Sequence, residues 1–174
     1  AEVATKAVNV GIKKAGLDGN LRGKCILEMG PGDSIATAII AHAYGACAIL
    51  MDAGPFAKGD ARSYTPLFDL LGDTSPSLDL SNVIDMPSLL AICGGEYHTR
   101  GLESWRRLPS ESVDFVFSQA VLEHIRHKEF VDTMRESYRV VKPGGIASHR
   151  VDLRDHLGGG LNNLRFSKKI WESD

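Results

Sequence analysis

Between Lys24 and Asp52 the chain alternates in a way that leaves few folding options. Residues 24–29 form a short apolar run bounded by glycines, which reads as a buried strand. Gly30, Pro31, Gly32, Asp33 and Ser34 follow as a loop. Ser34 is placed to cap a helix over residues 35–44, and Gly45 stops it. Cys47–Met51 is a second apolar run, ending at Asp52. Strand, helix and strand within about 30 residues make a βαβ unit. Two strands joined this way are parallel, with a right-handed crossover.

The same alternation recurs further along. Residues 2–15 place Val3, Ala7, Val8 and Ile12 at helical spacing, and residues 16–23 read as a turn. Residues 54–96 carry short apolar patches at 66–71 and 88–92 among prolines, which predicts short helices and loops. A short third strand is expected at 96–99 and a fourth at 113–118. Phe130, Val131, Met134, Tyr138 and Val141 mark a helix over about 128–141, ended by Lys142, Pro143, Gly144 and Gly145. A fifth strand is expected at 146–151, a glycine- and asparagine-rich loop after it, and a helix starting near Ser167. Trp105 beside Arg106 and Arg107 reads as half-buried beneath arginine stems. This pattern predicts an α/β fold, a doubly wound and mostly parallel sheet in the order 3-2-1-4-5.

Composition narrows the function classes. The chain has 174 residues, 43% of them hydrophobic, with 20 Lys+Arg against 22 Asp+Glu and a net charge of −2. One domain with a proper core is expected over 1–174, with a helix in 1–20, a core over 24–155 and a lid-like loop and helix start over 156–174. No basic block is present, so no nucleic-acid partner is expected. No apolar run approaches the roughly 20 residues of a membrane helix, and the start lacks a signal-peptide pattern. Cys25, Cys47 and Cys93 are odd in number and widely spaced, which suits a reducing compartment without a disulfide framework. A cytoplasmic location is therefore expected. The chain opens on Ala1 rather than Met, which suggests a trimmed or incomplete sequence.

The glycine loop carries the chemistry. Gly30 lets the chain turn sharply, and Gly32 lets a ligand approach the backbone. The helix N-terminus beyond it offers free N–H groups and partial positive charge, suited to a carboxylate or phosphate. A dinucleotide fingerprint wants a small residue three places after the second glycine, where Ile35 stands. A phosphate-binding P-loop needs Gly-Lys-Ser/Thr, and none follows. Asp52 is placed to accept hydrogen bonds from ribose hydroxyls. An adenosine ligand with a carboxylate-bearing arm fits better than a pyrophosphate, and a plain βα turn with a surface Asp is the bland alternative.

These residues resemble class I S-adenosylmethionine-dependent methyltransferases of the type 11 kind. The run from Cys25 through Glu28, Gly30 and Gly32 to Ser34 resembles the family's first motif, with Asp52 as its acidic partner. The run from Ser112 through Asp114, Ser118, Glu123 and His124 to Ile125 resembles the fourth strand and its loop. The run from Glu136 through Arg139 to Lys142, Pro143, Gly144 and Gly145 resembles the helix and turn before strand five. The likeness covers residues 20–155. It implies S-adenosylmethionine as cofactor and methyl transfer to a small-molecule acceptor. It also implies cofactor contacts from Glu28, Gly30, Pro31, Gly32, Ser34, Asp52, Ala53, Gly101, Leu102, Glu103, Ser118 and Gln119. A full domain of this family has two further antiparallel strands, which residues up to Asp174 do not supply. Truncation after strand five is thus expected, and with it an exposed sheet edge through which a second copy pairs.

Acceptor chemistry is expected from the loops after strands four and five. His124 is one candidate base. Asp155 beside His156 is a better one, since a carboxylate orients an imidazole and raises its basicity. Asp152, Asp155, His156 and His149 lack a diagnostic metal spacing, so no metal is assigned. Gly158, Gly159, Gly160, Asn162 and Asn163 would suit a hydroxyl-rich, saccharide-like acceptor. Two other readings stay open: an NAD(P)- or nucleotide-sugar-binding oxidoreductase domain, and a non-catalytic methyltransferase-like subunit.

Overall fold

The computed structural model describes residues 21–57, 60–71, 83–154 and 158–171. The expected helix in 1–20, Asp155 and His156 lie outside the described residues. Five strands form one parallel sheet: β1 (Cys25–Met29), β2 (Cys47–Met51), β3 (Gly95–His98), β4 (Val113–Gln119) and β5 (Val141–Arg150). Their order is β3-β2-β1-β4-β5, as the βα alternation predicts. Helices α1 (Ala36–Ala43), α2 (Thr65–Leu71), α3 (Met86–Ile92), α4 (Leu102–Arg107) and α5 (His127–Val140) lie between them, and α6 (Lys168–Trp171) follows β5.

Side-chain alternation sorts the strands' residues onto two faces. On one face Ile26, Leu50, Phe115 and Phe117 pack under α1 and α3. Phe115 and Phe117, two apart on β4, stack with ring centroids 5.6 Å apart. Helix α1 buries seven of its eight residues, which explains why its sequence is apolar all round rather than striped. Helix α3 starts from a capping box: Asp85 accepts from Ser88 N and the Ser88 hydroxyl accepts from Asp85 N. On the other face Leu27, Met29, Met51 and Val116 pack against Trp105 and Val140. Each such buried side chain contributes about 1.5–3 kcal/mol relative to exposure.

Trp105 departs from the half-buried position its arginine neighbours suggest, being only 1% exposed. The reason is tertiary. Arg139 of α5 reaches across to donate to the carbonyls of Trp105 (2.9 Å) and Leu108 (2.9 Å), which clamps the end of α4 onto α5. Glu136 in turn accepts from Arg139 Nε at 2.7 Å.

The start of β5 also differs from expectation. Lys142, Pro143, Gly144 and Gly145 were expected as a turn, yet the strand begins directly after α5, at Val141. Val113 pairs with Val141, but Phe115 pairs with Ile146, so the intervening residues bulge opposite Asp114. Asp114 holds the bulge by accepting from Lys142 Nζ at 2.6 Å. It also accepts from Lys24 Nζ (3.2 Å) and Cys25 N (2.9 Å), tying β1, β4 and β5 together at their N-terminal ends. Burial opposes ionisation of Asp114, but these hydrogen bonds outweigh it and hold the carboxyl below the usual carboxylate range.

Candidate functional site

All five strands point their carboxyl ends the same way, and the topology reverses direction between β1 and β4. A crevice at that switch point is where open α/β sheets bind ligands. A cleft of about 560 Å³ opens there. Gly30 and Gly32, Asp52 and Ala53, and Gly101 and Leu102 line it from the ends of β1, β2 and β3. Ala120, Val121 and His124 follow β4, and Ile125, Arg126, Glu129 and Thr133 come from the entry and first turns of α5. Met29, Met51, Phe56 and Trp105 supply apolar wall.

The glycine loop is built from β1 outward. Gly30 N donates to Met51 O at 2.7 Å, and the chain then turns with φ of +72° at Gly30 and +65° at Gly32. The two glycines serve different ends. A Cβ on Gly30 would come within 2.4 Å of the Val121 side chain, so that glycine admits the loop after β4. A Cβ on Gly32 would meet nothing within 4 Å, because it would project into open space at the cleft. The Asp52 carboxylate stands against the loop at the end of β2. Its Oδ2 accepts from Gly32 N at 3.1 Å and its Oδ1 from Ala53 N at 2.7 Å. Each carboxylate oxygen has a further lone pair, so Asp52 keeps acceptor capacity for a pair of hydroxyls. Gly101 N donates to the Asp52 carbonyl at 2.8 Å, which fixes the β3 loop against the β2 end.

Glu28 lies below the loop rather than in the cleft lining. Burial pushes its carboxyl up to about 7, and the nearby Asp52 charge adds to that. The buried Thr37 hydroxyl works the other way, without a well-formed hydrogen bond among the described residues. Ala120, at the cleft, has φ of +54°, in the left-handed region that an alanine adopts only under constraint. Its N–H donates to Arg150 O at 2.9 Å, so β5 holds the turn in place.

The cleft gathers half of the residues expected to touch a cofactor: Gly30, Gly32, Asp52, Ala53, Gly101 and Leu102. Others have structural engagements elsewhere. Pro31 follows the turn without lining the cleft, and Ser34 Oγ accepts from Ala36 N at 3.1 Å, at the start of α1. Glu103 is exposed on α4. Gln119 ends β4 outside the cleft lining. Ser118 is 2% exposed and shares a 2.8 Å hydrogen bond with His149 Nδ1 across the β4–β5 pair. Burial holds the His149 imidazole below its ordinary pKa, which favours its neutral form. His124, expected as a base, does line the cleft from the short 3-10 helix Leu122–His124. Its neighbour Glu123 points to β5, accepting from Asp152 N at 3.0 Å.

Sequence reasoning missed Trp105, Val121, Ile125, Arg126, Glu129 and Thr133. A helical step of three from Leu102 to Trp105 was the one available signal for the first. The α5 residues carry no local signal, because only the sheet order brings them to the glycine loop.

Residues 87–148, about a third of the chain, match the methyltransferase domain family. No curated protein sequence matches. Among solved structures, one described as a sarcosine dimethylglycine methyltransferase from Galdieria sulphuraria superposes with a TM-score of 0.52 at 17% identity, over 82% of this chain and 45% of that one. The chain has the class I methyltransferase fold. CrArsM, an arsenic (III) S-adenosylmethionine methyltransferase from Chlamydomonas reinhardtii, is 18% identical over 87% of this chain and 52% of its own, with a TM-score of 0.48. A DhpI-SAM-HEP complex is 17% identical over 90% and 60%, with a TM-score of 0.47. The chain therefore spans about half the length of the first of these structures. The resemblance and the strand order read from sequence both hold at the level of the fold.

Proposed function

We propose that this methyltransferase-fold protein binds S-adenosylmethionine in the cleft and transfers its methyl group to a small-molecule acceptor. The observation that carries the reading is the contact of Gly32 with Asp52 at the edge of the cleft. A backbone without Cβ faces open space, and a carboxylate with spare acceptor capacity stands directly beside it. Asp52 would take the ribose hydroxyls. Ala53, Leu102 and Phe56 would flank the adenine, with apolar surface suited to a flat aromatic ring. Glu28, beneath the loop, would answer the ligand's ammonium group. The bound cofactor supplies an electrophilic methyl on a sulfonium, so the protein's task is mainly alignment and exclusion of water.

His124 is the candidate for taking a proton from an acceptor hydroxyl. It is the one expected base that lines the cleft among the described residues. A hydroxyl-rich acceptor is the class suited to the glycine- and asparagine-rich composition of the segment after β5. Incubation with methyl-labelled S-adenosylmethionine and a panel of sugars and small hydroxylated acceptors tests this. Label transfer that falls about 10²–10⁴-fold in His124→Ala supports both acceptor class and base. Transfer only to amines or thiols, with His124→Ala unaffected, contradicts them. Asp52→Ala should weaken cofactor binding whatever the acceptor.

A further inference from the structure

The ends of β1 and β2 remote from the cleft hold a feature that methyl transfer does not use. Cys25 and Cys47 are the first residues of adjacent parallel strands and direct partners in register. Register partners in a parallel pair point to the same face of the sheet. Cys47 is exposed, while Cys25 is half-buried against the Trp105 side of the core. Cys93 sits alone and buried in the other core. Burial first, then the neighbouring Cys47 side chain, pushes the Cys25 thiol well above its ordinary range.

We propose that Cys25 and Cys47 form a redox modification site, which a low-molecular-weight disulfide such as oxidised glutathione converts to a cross-strand disulfide. The exposed Cys47, as thiolate, attacks one sulfur of oxidised glutathione and expels a glutathione thiolate, leaving a mixed disulfide on Cys47. The Cys25 thiol then gives up its proton to the released thiolate and attacks the Cys47 sulfur. The second glutathione leaves as thiolate. The protein loses two electrons and two protons overall, and one oxidised glutathione becomes two reduced ones.

Geometry sets the character of the bond. Adjacent strands lie about 4.8 Å apart, inside the Cα window for a disulfide, but disulfide Cβ atoms prefer about 3.8 Å. The strand ends must therefore draw together by about 1 Å. This is feasible because Cys25 and Cys47 are terminal residues of their strands, with Cys47 N anchored to Lys24 O at 3.0 Å. A bond closed against such a spacing is readily reduced, as in disulfides that sense redox state rather than staple a fold.

The test uses the full chain equilibrated with graded ratios of oxidised to reduced glutathione, then alkylated and mapped by mass. The expected result is loss of two hydrogens at low protein concentration, with Cys93 alone still alkylated and reversal on adding reductant. Cys47→Ser should abolish the loss, and Cys25→Ser should stop at a glutathionyl adduct on Cys47. Folding of both variants is checked by circular dichroism. Three alkylated cysteines in the wild type at the most oxidising ratio would overturn the proposal. So would a wild type that halts at the mixed disulfide, or one that cross-links only between chains.

Discussion

At the scale of single residues, Glu28 and the two loop glycines divide structural from ligand-directed roles. Glu28 in the folded protein titrates near 7 against an ordinary value of 4.5. Below about pH 4.5 both states are protonated. As pH rises from 4.5 to 7 the unfolded carboxyl ionises while the folded one resists, so stability falls by on the order of 3 kcal/mol. Glu28→Gln should remove that loss. Denaturant unfolding at pH 5 and pH 8 should differ markedly for wild type and much less for the variant. Equal pH sensitivity in the two would assign the loss to another group. The glycines separate in the same way. Gly30→Ala meets Val121 at 2.4 Å and should unfold at clearly lower denaturant than wild type. Gly32→Ala should lose only the left-handed backbone cost of about 1–2 kcal/mol, yet bind cofactor poorly. A folded Gly32→Ala that binds normally would move the ligand away from this loop.

At the scale of elements, packing decided what local sequence left open. Strand β2, Cys47–Met51, was readable to the residue because its run is apolar and glycine- and aspartate-bounded. β5 was not, because Pro143-Gly144-Gly145 looks like a helix-ending turn. It becomes a bulge only through Asp114, contributed by another strand. Trp105 was misread for the same reason, since the side chains of β1, β2 and β4 that bury it, and Arg139 that holds its carbonyl from 34 positions away, are all remote in sequence. Among site residues, Gly32 and Asp52 carry local signals of loop and strand end, whereas Val121 and Thr133 reach the cleft only through the strand order. Trp105→Ala should cost about 3–5 kcal/mol, measured by equilibrium unfolding. A loss under 1 kcal/mol would mean that α4 is not locked to α5. Asp114→Ala should destabilise by about 1–3 kcal/mol at neutral pH. The Asp114 contribution is present above its unfolded value of 3.8 and fades as pH falls through the lower folded one. Acid titration of wild type and variant should therefore converge at low pH. Parallel curves down to pH 2 would show that the carboxylate's charge is not what ties the strands.

At the scale of the whole molecule, a parallel sheet with strand order 3-2-1-4-5 brings backbone, carboxylate and apolar wall from four strand ends to one cleft. None of the described helices is long and apolar enough to cross a membrane. The central claim is that this cleft is an S-adenosylmethionine site. Isothermal titration of the chain with S-adenosylmethionine, S-adenosylhomocysteine and, as control, NADH tests it most directly. Saturable binding of the first two, weakened in Asp52→Ala, and none of NADH is the predicted result. Binding of NADH alone, or of none of the three by a protein whose fold is verified, would contradict it.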